Sequence, residues 1–141
     1  NEKKMVAEDN KTESEEFLQS NLEREGVYVT STGLQYEVLR SGEGDIPTLN
    51  DSVEVHYRGT LLDGTVFDSS YDRGKTVNFG VTQVIPGWTE ALQLMSAGSK
   101  WRLYIPSELA YGAGGVGGLI GPNAALIFEV ELISVVGALS Q

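Results

Sequence analysis

Few residues of this chain could do covalent chemistry, and the familiar catalytic combinations cannot be assembled from them. The 141 residues include no cysteine and a single histidine, His56. A zinc site of the usual composition, a serine triad and a thiol nucleophile are therefore excluded. The six glycines between positions 112 and 121 are followed by neither Gly-Lys-Ser/Thr nor a helix start, so phosphate binding is not indicated. An enzyme with this sequence would need no nucleophile, metal or cofactor.

The residues that remain as candidates are aromatic side chains that face inward on predicted strands or lie in loops, and three of them lie at junctions between predicted elements. Phe67 precedes a polar connection that begins with Asp68, Trp88 follows the bend at 84–87, and Tyr111 opens a glycine-rich segment. Each of them alone is better explained by the core than by a site. Their concentration at junctions favours the lining of a concave site with few polar groups. The set comprises Tyr57, Phe67, Phe79, Trp88, Trp101, Tyr111 and Phe128.

The glycine-rich segment at 110–122 combines backbone freedom with large apolar side chains, which ordinary surface loops do not carry. Its apolar members are Val116, Leu119 and Ile120, after Tyr111. Two interpretations are open at this point. The side chains pack back onto the core, or they form the wall of an apolar pocket.

Most of the elements that must position these residues are strands. Alternating apolar residues at 34–38, 53–57, 101–105 and 126–132 predict half-buried antiparallel strands, and Asp63-Gly64 marks a hairpin. On this alternation His56 faces solvent beside Glu54 and Arg58. Trp88, Ala91, Leu92 and Met95 share one face of a short helix that Pro86-Gly87 open and Gly98 closes. We therefore expect an α+β domain, a curved antiparallel sheet wrapped over one short helix.

Residues 1–26 differ from the rest, because they are rich in charge and lack a continuous apolar stripe. They predict an exposed helical linker that docks only near Phe17–Leu22; a helix that simply packs on its own domain is the alternative. The first residue is Asn1, from which we expect a processed protein or a fragment without its N-terminal part. The divisions are then a linker at 1–26, a domain at 27–137 and a tail at 138–141. The net charge of −10 argues against nucleic acid and anionic lipid as partners.

Three runs of sequence carry a resemblance to a known family. VEVHYRGTLLDGTVFDSSYDRG, VIPGWTEALQLMSAGSKWRLYIPSELAYG and GPNAALIFEVELI follow one another between about residues 50 and 136. Together they resemble the FK506-binding-protein (FKBP) family of peptidyl-prolyl cis-trans isomerases. The Trp88 segment and the acidic helix before the domain are most similar to the bacterial macrophage-infectivity-potentiator and 22-kDa branch. In that branch a long helix joins the domain to an N-terminal dimerisation module.

The resemblance implies a role for particular residues. Trp88 matches the pocket floor, Asp68 and Arg73 match the polar pair at the rim, and the Ile85 amide and Tyr111 hydroxyl match the groups that bind ligand carbonyls. Val77 and Val116 depart from residue types common in the family, which affects substrate preference and drug affinity more than activity. The other matching pocket positions are Tyr57, Phe67, Phe79, Val84, Leu119, Ile120 and Phe128.

For Asp68 two roles are open. It polarises the region of the substrate carbonyl, or it accepts hydrogen bonds from Arg73 and Tyr57 and so keeps the pocket rigid. We favour the second role, because a free carboxylate beside a carbonyl oxygen would repel it.

The resemblance implies rotation of X–Pro bonds in unfolded or flexible polypeptides, without cofactor, and binding of macrolides such as rapamycin. A binding module or chaperone that uses the same apolar surface without catalysis is the alternative. A homodimer is expected for the full-length protein and a monomer for this chain by itself. The bacterial periplasm or cell envelope is the expected compartment, with the cytoplasm as the alternative.

Overall fold

A computed structural model describes residues 2–117 and 120–137 of the chain. Seven strands and three α-helices follow one another, with short 3-10 turns at Ser107–Leu109 and Gly112–Gly114. Their bounds are α1 Glu2–Asn21, β1 Val27–Val29, β2 Gln35–Arg40, β3 Ser52–Thr60, β4 Val66–Ser69, α2 Ser70–Arg73, β5 Val77–Gly80, α3 Pro86–Leu92, β6 Lys100–Ile105 and β7 Leu126–Gly137. The α+β class is confirmed.

All seven strands form one antiparallel sheet in the order β1-β2-β6-β7-β3-β4, and β5 also pairs with β3. The long strand β3 pairs with β7 along one edge. Its other edge is shared, since β5 pairs with its first half and β4 with its second. The predicted hairpin at Asp63-Gly64 is confirmed, because Gly64 has φ 92° and Leu61 donates a backbone hydrogen bond to Thr65.

The core lies between the sheet and α3. The alternating residues predicted to face inward on β3, β6 and β7 are buried, and so is the predicted face of α3. Gly87 allows the close approach of this helix to the sheet, because a Cβ there would lie 2.7 Å from Cγ2 of Ile105. The buried helix residues are Trp88, Ala91 and Leu92, followed by Met95.

The N-terminal helix docks along more of its length than the sequence predicts. Contact near Phe17 is confirmed, since its ring lies 5.9 Å from that of Tyr104. However, Asn10 and the buried Ser14 also form hydrogen bonds with residues 122–125. The expectation of docking only near Phe17–Leu22 is therefore wrong, because hydrogen-bonding side chains hold the helix where no apolar stripe exists. No helix in the described part of the chain is long and apolar enough to cross a membrane.

His56 lies on the predicted side of β3, opposite Val55 and Tyr57, but the expectation that it faces solvent is wrong. It is half-buried under α2, where its ring stacks on Tyr71 at 4.5 Å. Its Nδ1 lies 2.8 Å from the hydroxyl of the buried Ser70. A sheet face that the alternation predicts to be open is thus covered by a helix only four residues long.

Candidate functional site

A cavity of about 530 Å³ opens beside α3 and is walled mainly by aromatic and aliphatic side chains. Strands β3, β4, β5 and β7 contribute one residue or more each, as do the start of α3 and the connection after β6. The cavity is therefore formed by elements that are distant in sequence. Its lining residues are Tyr57, Phe67, Asp68, Phe79, Gln83, Val84, Ile85, Trp88, Ala110, Tyr111 and Phe128.

Trp88 lies at the centre of the aromatic part of this wall. Its ring meets those of Tyr57, Phe79 and Phe128 nearly at right angles, with centroids 5.2, 5.6 and 5.3 Å away. Edge-to-face contacts of this kind are favourable and fix ring orientation. The Trp88 indole N–H is buried and has no hydrogen-bond partner among the residues that the structure describes. The wall is rigid and apolar, which suits a ligand group with little polarity.

A glycine on β3 makes room for two of these rings. A Cβ at Gly59 would lie 2.6 Å from Cζ of Phe67 and 2.7 Å from Cε1 of Phe128. Because Gly59 has no side chain, the two phenylalanine rings meet edge to face at 5.4 Å. The position of both rings therefore depends on Gly59.

Three polar side chains form a closed set at the rim. The Tyr57 hydroxyl and the Arg73 guanidinium each donate to a different oxygen of Asp68, both at 2.5 Å. Arg73 also donates to the Tyr57 hydroxyl oxygen at 3.2 Å. The predicted hydrogen bonds to Asp68 are confirmed. Both carboxylate oxygens of Asp68 are engaged, as a role in holding the rim requires.

The electrostatics of this set keep it in one protonation state. Partial burial would raise the pKa of Asp68, but the hydrogen bonds from Tyr57 and Arg73 and the charge of Arg73 outweigh it and lower that pKa. The pKa of Tyr57 is raised, first by burial and then by its hydrogen bond to Asp68. Asp68 therefore stays ionised and Tyr57 stays protonated near neutral pH.

The short helix α2 brings Arg73 to the rim. Ser69 caps its first turn through the Asp72 N–H, and Gly74 ends it in the left-handed region at φ 71°. The buried hydroxyl of Ser70 accepts a hydrogen bond from the Tyr57 N–H at 2.7 Å and lies 3.2 Å from the Tyr57 carbonyl oxygen. Ser70 thus joins α2 to β3 directly behind the ring of Tyr57.

Two residues of the cavity lining, Ile85 and Tyr111, offer hydrogen-bond donors. The Ile85 N–H precedes α3 in an extended conformation and has no acceptor among residues 2–117 and 120–137. The Tyr111 side chain is 39% exposed and lines the cavity from the connection after β6. An apolar cavity with two donors in its lining can hold a small apolar group that has carbonyl oxygens next to it.

Not every predicted residue lines the cavity. Ile120 is buried in the core, because the loop folds back through a bridge between Val116 and Ile120. Leu119 lies outside the described residues, as does the predicted tail at 138–141. Trp101 stacks on Tyr36 at 4.4 Å, away from the cavity.

Two residues that line the cavity, Gln83 and Ala110, were not predicted from the sequence. Gln83 accepts a hydrogen bond from the Gly80 N–H, so a local turn orients it. Its position directly before Val84 was the one available signal. Ala110 has too small a side chain to give any.

A curved sheet over one helix, with an aromatic cavity beside that helix, defines a class of α+β domains that bind a compact apolar group between polar donors. Comparison with known families places the chain within this class. The model of the FKBP-type peptidyl-prolyl cis-trans isomerase domain matches residues 44–133, and the model of the domain amino-terminal to it matches residues 1–38. The chain belongs to the FKBP-type peptidyl-prolyl cis-trans isomerase family.

Individual relatives agree with this assignment. The chain is 54% identical over 129 residues to the outer membrane protein MIP of Legionella longbeachae, a match that covers 92% of this chain and 55% of the relative. It is 54% identical over 123 residues to the FKBP-type 22 kDa peptidyl-prolyl cis-trans isomerase of Escherichia coli, covering 87% and 60%. The crystal structure of FkpA from Escherichia coli superposes with a TM-score of 0.93 at 45% identity, covering 97% of this chain and 64% of that one. The chain thus spans about half the length of the curated relatives it matches, from 47% to 60%.

Proposed function

We propose that this protein is a peptidyl-prolyl cis-trans isomerase that acts on X–Pro bonds in unfolded or flexible polypeptides. The observation that carries the proposal is the aromatic cavity around Trp88, whose lining also includes Ile85 and Tyr111 as sources of hydrogen-bond donors. A prolyl ring is compact and apolar, and two carbonyl groups flank it in the chain. The cavity matches that arrangement.

The proposed catalysis follows from the chemistry of the amide. An X–Pro bond rotates over a barrier of about 18–20 kcal/mol, which gives times of about 10–100 s without a catalyst. The planar amide is stabilised by resonance and has a well-hydrated oxygen, whereas the amide twisted by about 90° has lost that resonance and is less polar. An apolar wall therefore favours the twisted state over the planar one, and this differential binding lowers the barrier.

The protein residues then act by holding and orienting. The aromatic wall holds the prolyl ring, while the Ile85 N–H and the Tyr111 hydroxyl bind neighbouring carbonyl oxygens and fix the geometry of rotation. Asp68 keeps the rim rigid through Tyr57 and Arg73. A barrier lowered by about 8 kcal/mol would accelerate rotation by about 10⁶-fold. No proton transfer or covalent intermediate is needed.

The test is a protease-free measurement of cis/trans relaxation in a short X–Pro peptide. We expect relaxation to accelerate in proportion to the concentration of folded protein, and the Tyr111→Ala variant to lower kcat/KM by about tenfold at unchanged circular dichroism. Relaxation no faster than in buffer would refute the enzymatic function. If the peptide still bound, the chain would be a binding module for proline-containing segments.

Macrolides such as rapamycin are proposed as further ligands of the same cavity, because they present an apolar ring and carbonyl oxygens together. Binding to the folded state alone would raise the melting temperature and inhibit the relaxation measured above. Saturating rapamycin that leaves both unchanged would contradict this proposal.

The setting of the full-length protein is also a proposal. The name of the Legionella longbeachae relative, outer membrane protein MIP, supports the cell envelope as the compartment. The match of residues 1–38 to the amino-terminal family model supports a linker at 1–26 that leads from a dimerisation module to the domain. Light scattering should then give a monomer for this chain and a dimer for the full-length protein.

A further inference from the structure

Asn123 directly follows the glycine-rich segment at 110–122. It forms hydrogen bonds both with the N-terminal helix α1 and with Gly112, near the start of that segment. The Asn123 side-chain amide donates to the Ala7 backbone carbonyl oxygen at 3.2 Å. The backbone carbonyl oxygen of Asn123 accepts from the Ser14 hydroxyl, also at 3.2 Å. Ser14 is itself buried and accepts a hydrogen bond from the Ala125 N–H at 2.9 Å. Two turns of α1 are thus fixed to the segment that leads from the loop into β7.

The backbone conformation of Asn123 restricts which residue types fit at this position. Asn123 is the one described non-glycine residue with a positive φ, at 58°. Asparagine is among the few residues other than glycine that tolerate this region. Glycine would also fit the positive φ, but it has no side chain that could donate to the Ala7 carbonyl oxygen of α1.

A second contact brings α1 and the loop into close approach. A Cβ at Gly121 would lie 2.9 Å from Nδ2 of Asn10, and the same amide donates to the Pro122 carbonyl oxygen at 2.9 Å. The missing side chain at Gly121 is therefore what lets the Asn10 amide reach the loop backbone.

From Asn123 the connection continues to the pocket. The Asn123 N–H donates to the Gly112 carbonyl oxygen at 2.8 Å, and Gly112 directly follows Tyr111. The Tyr111 carbonyl oxygen in turn accepts from the Gly115 N–H at 3.2 Å. Tyr111 is held at the rim mainly by this backbone, since its side chain is 39% exposed.

We propose that Ser14 and Asn123 are positioning residues for catalysis, through which helix α1 sets the place of Tyr111 at the rim of the pocket. This inference rests on the proposed isomerase function and adds to it a role for the helix outside the domain that carries the pocket. Loss of either contact releases the Gly112 end of the loop and moves the Tyr111 hydroxyl away from the substrate carbonyl.

The kinetic test compares Ser14→Ala and Asn123→Gly with wild type in the peptide assay, well below the melting temperature. Asn123→Gly keeps a residue suited to the positive φ and removes only the side chain. Because Tyr111 binds substrate, we expect KM to rise about three- to tenfold with kcat changed less than twofold. A merely structural defect would lower the active fraction, and with it the apparent kcat, at unchanged KM. The matched control is Glu16→Ala on the exposed face of α1, which should behave as wild type.

A double-mutant cycle with Tyr111→Phe tests whether the effect passes through Tyr111. In the Tyr111→Phe background, Ser14→Ala should raise KM by less than about twofold, because the hydroxyl it displaces is already absent. Equal effects of Ser14→Ala in both backgrounds, or a KM within about 1.5-fold of wild type for both single variants, would overturn the proposal.

Amide hydrogen exchange tests the structural step without reference to activity. In Ser14→Ala, exchange of the Asn123 and Gly115 amides should accelerate at least tenfold, while the Trp88 amide, which donates to Ile85, should be unchanged. Unchanged exchange at Asn123 and Gly115 would overturn the proposal. A wild-type protein that fails to accelerate rotation would refute the isomerase function instead, and exchange would still decide whether α1 positions the loop.

Discussion

At the scale of single residues, the rim of the pocket is held by one carboxylate, of Asp68, and one hydroxyl, of Tyr57, each of which has two hydrogen-bond partners. Asp68 accepts from Tyr57 and Arg73, and Arg73 also reaches the Tyr57 hydroxyl. Hydrogen bonds to charged groups are stronger than those between neutral groups. In a network of side chains that share partners, removing one side chain weakens the remaining hydrogen bonds as well. The three side chains should therefore behave as a unit.

The first prediction concerns this unit. Asp68→Asn removes the charge that Arg73 faces, and Tyr57→Phe removes one donor while it keeps the ring in the aromatic wall. Each should lower kcat/KM by about three- to tenfold, as expected for a loss of about 1 kcal/mol of positioning. The double variant should lose little more than either single one, measured in the same peptide assay. Additive losses would show that the two residues act separately.

The pH dependence of activity is a second prediction at this scale. The pKa of Asp68 is lowered and that of Tyr57 is raised, so neither group changes its charge between the ordinary carboxyl value of about 4 and the ordinary phenol value of about 10. We expect kcat/KM to be level within about twofold from pH 5 to pH 9. A bell-shaped profile within this range would show that a rim group titrates during turnover.

At the scale of elements, two close approaches shape the pocket: β3 lies against rings from β4 and β7, and α3 lies against β6. Strand β3 carries Gly59 beneath the rings of Phe67 and Phe128, and α3 carries Gly87 against Ile105. Close-packed interiors tolerate an added methyl group poorly, because neighbours must leave their preferred rotamers.

The third prediction is that Gly59→Ala displaces both phenylalanine rings. The substitution should lower the free energy of unfolding by about 1–3 kcal/mol and raise KM several-fold, measured by urea unfolding and the peptide assay. Gly114→Ala is the matched control, because a Cβ there meets nothing within 4 Å and its φ is not positive. Equal effects at the two positions would mean that Gly59 is not needed for packing of the pocket.

At the scale of the whole molecule, the chain carries a net charge of −10, whereas charged side chains on the outer face of the sheet are paired. Arg102 donates to Glu129 and Arg40 to Glu131, which lowers the pKa of each carboxyl group. The pKa of Tyr71 is raised, first by burial and then by its hydrogen bond to Glu131.

The pH dependence of stability is the prediction at this scale. A carboxyl group whose pKa is lower in the folded state stabilises that state above about pH 4, and this stabilisation is lost as the pH falls further. Stability should therefore be level from about pH 5 to pH 8 and fall steeply below pH 4. The midpoints of urea unfolding between pH 3 and pH 6 measure how steeply stability depends on pH.

The control for acid unfolding is Glu129→Gln. It removes one of the carboxyl groups with a lowered pKa. The slope of the free energy of unfolding against pH should therefore decrease below pH 4, by the equivalent of up to about one proton taken up on unfolding. An unchanged slope would show that the ion pair with Arg102 contributes nothing to acid sensitivity, as many exposed ion pairs do.

The sequence by itself determined four of the seven strands, the short helix α3 and most of the pocket, whereas β1, β4, β5 and α2 were not predicted. Period-two alternation on β3, β6 and β7 and the face of α3 were visible because burial acts on each of these elements through its own repeat. The inward-facing and junction aromatics, together with the resemblance to the family, then pointed to Tyr57, Trp88 and Phe128, which the structure brings together.

Only the tertiary structure decided which polar residues hold the molecule together and on which side the loop residues lie. Asn10, Ser14 and Asn123 have no hydrophobic periodicity, and their hydrogen bonds join positions more than 100 residues apart. Ile120 looked like a pocket residue but is buried in the core, because the loop folds back on itself. Hydrophobic periodicity reports local burial, whereas a long-range hydrogen bond exists only once the chain has brought its two partners together.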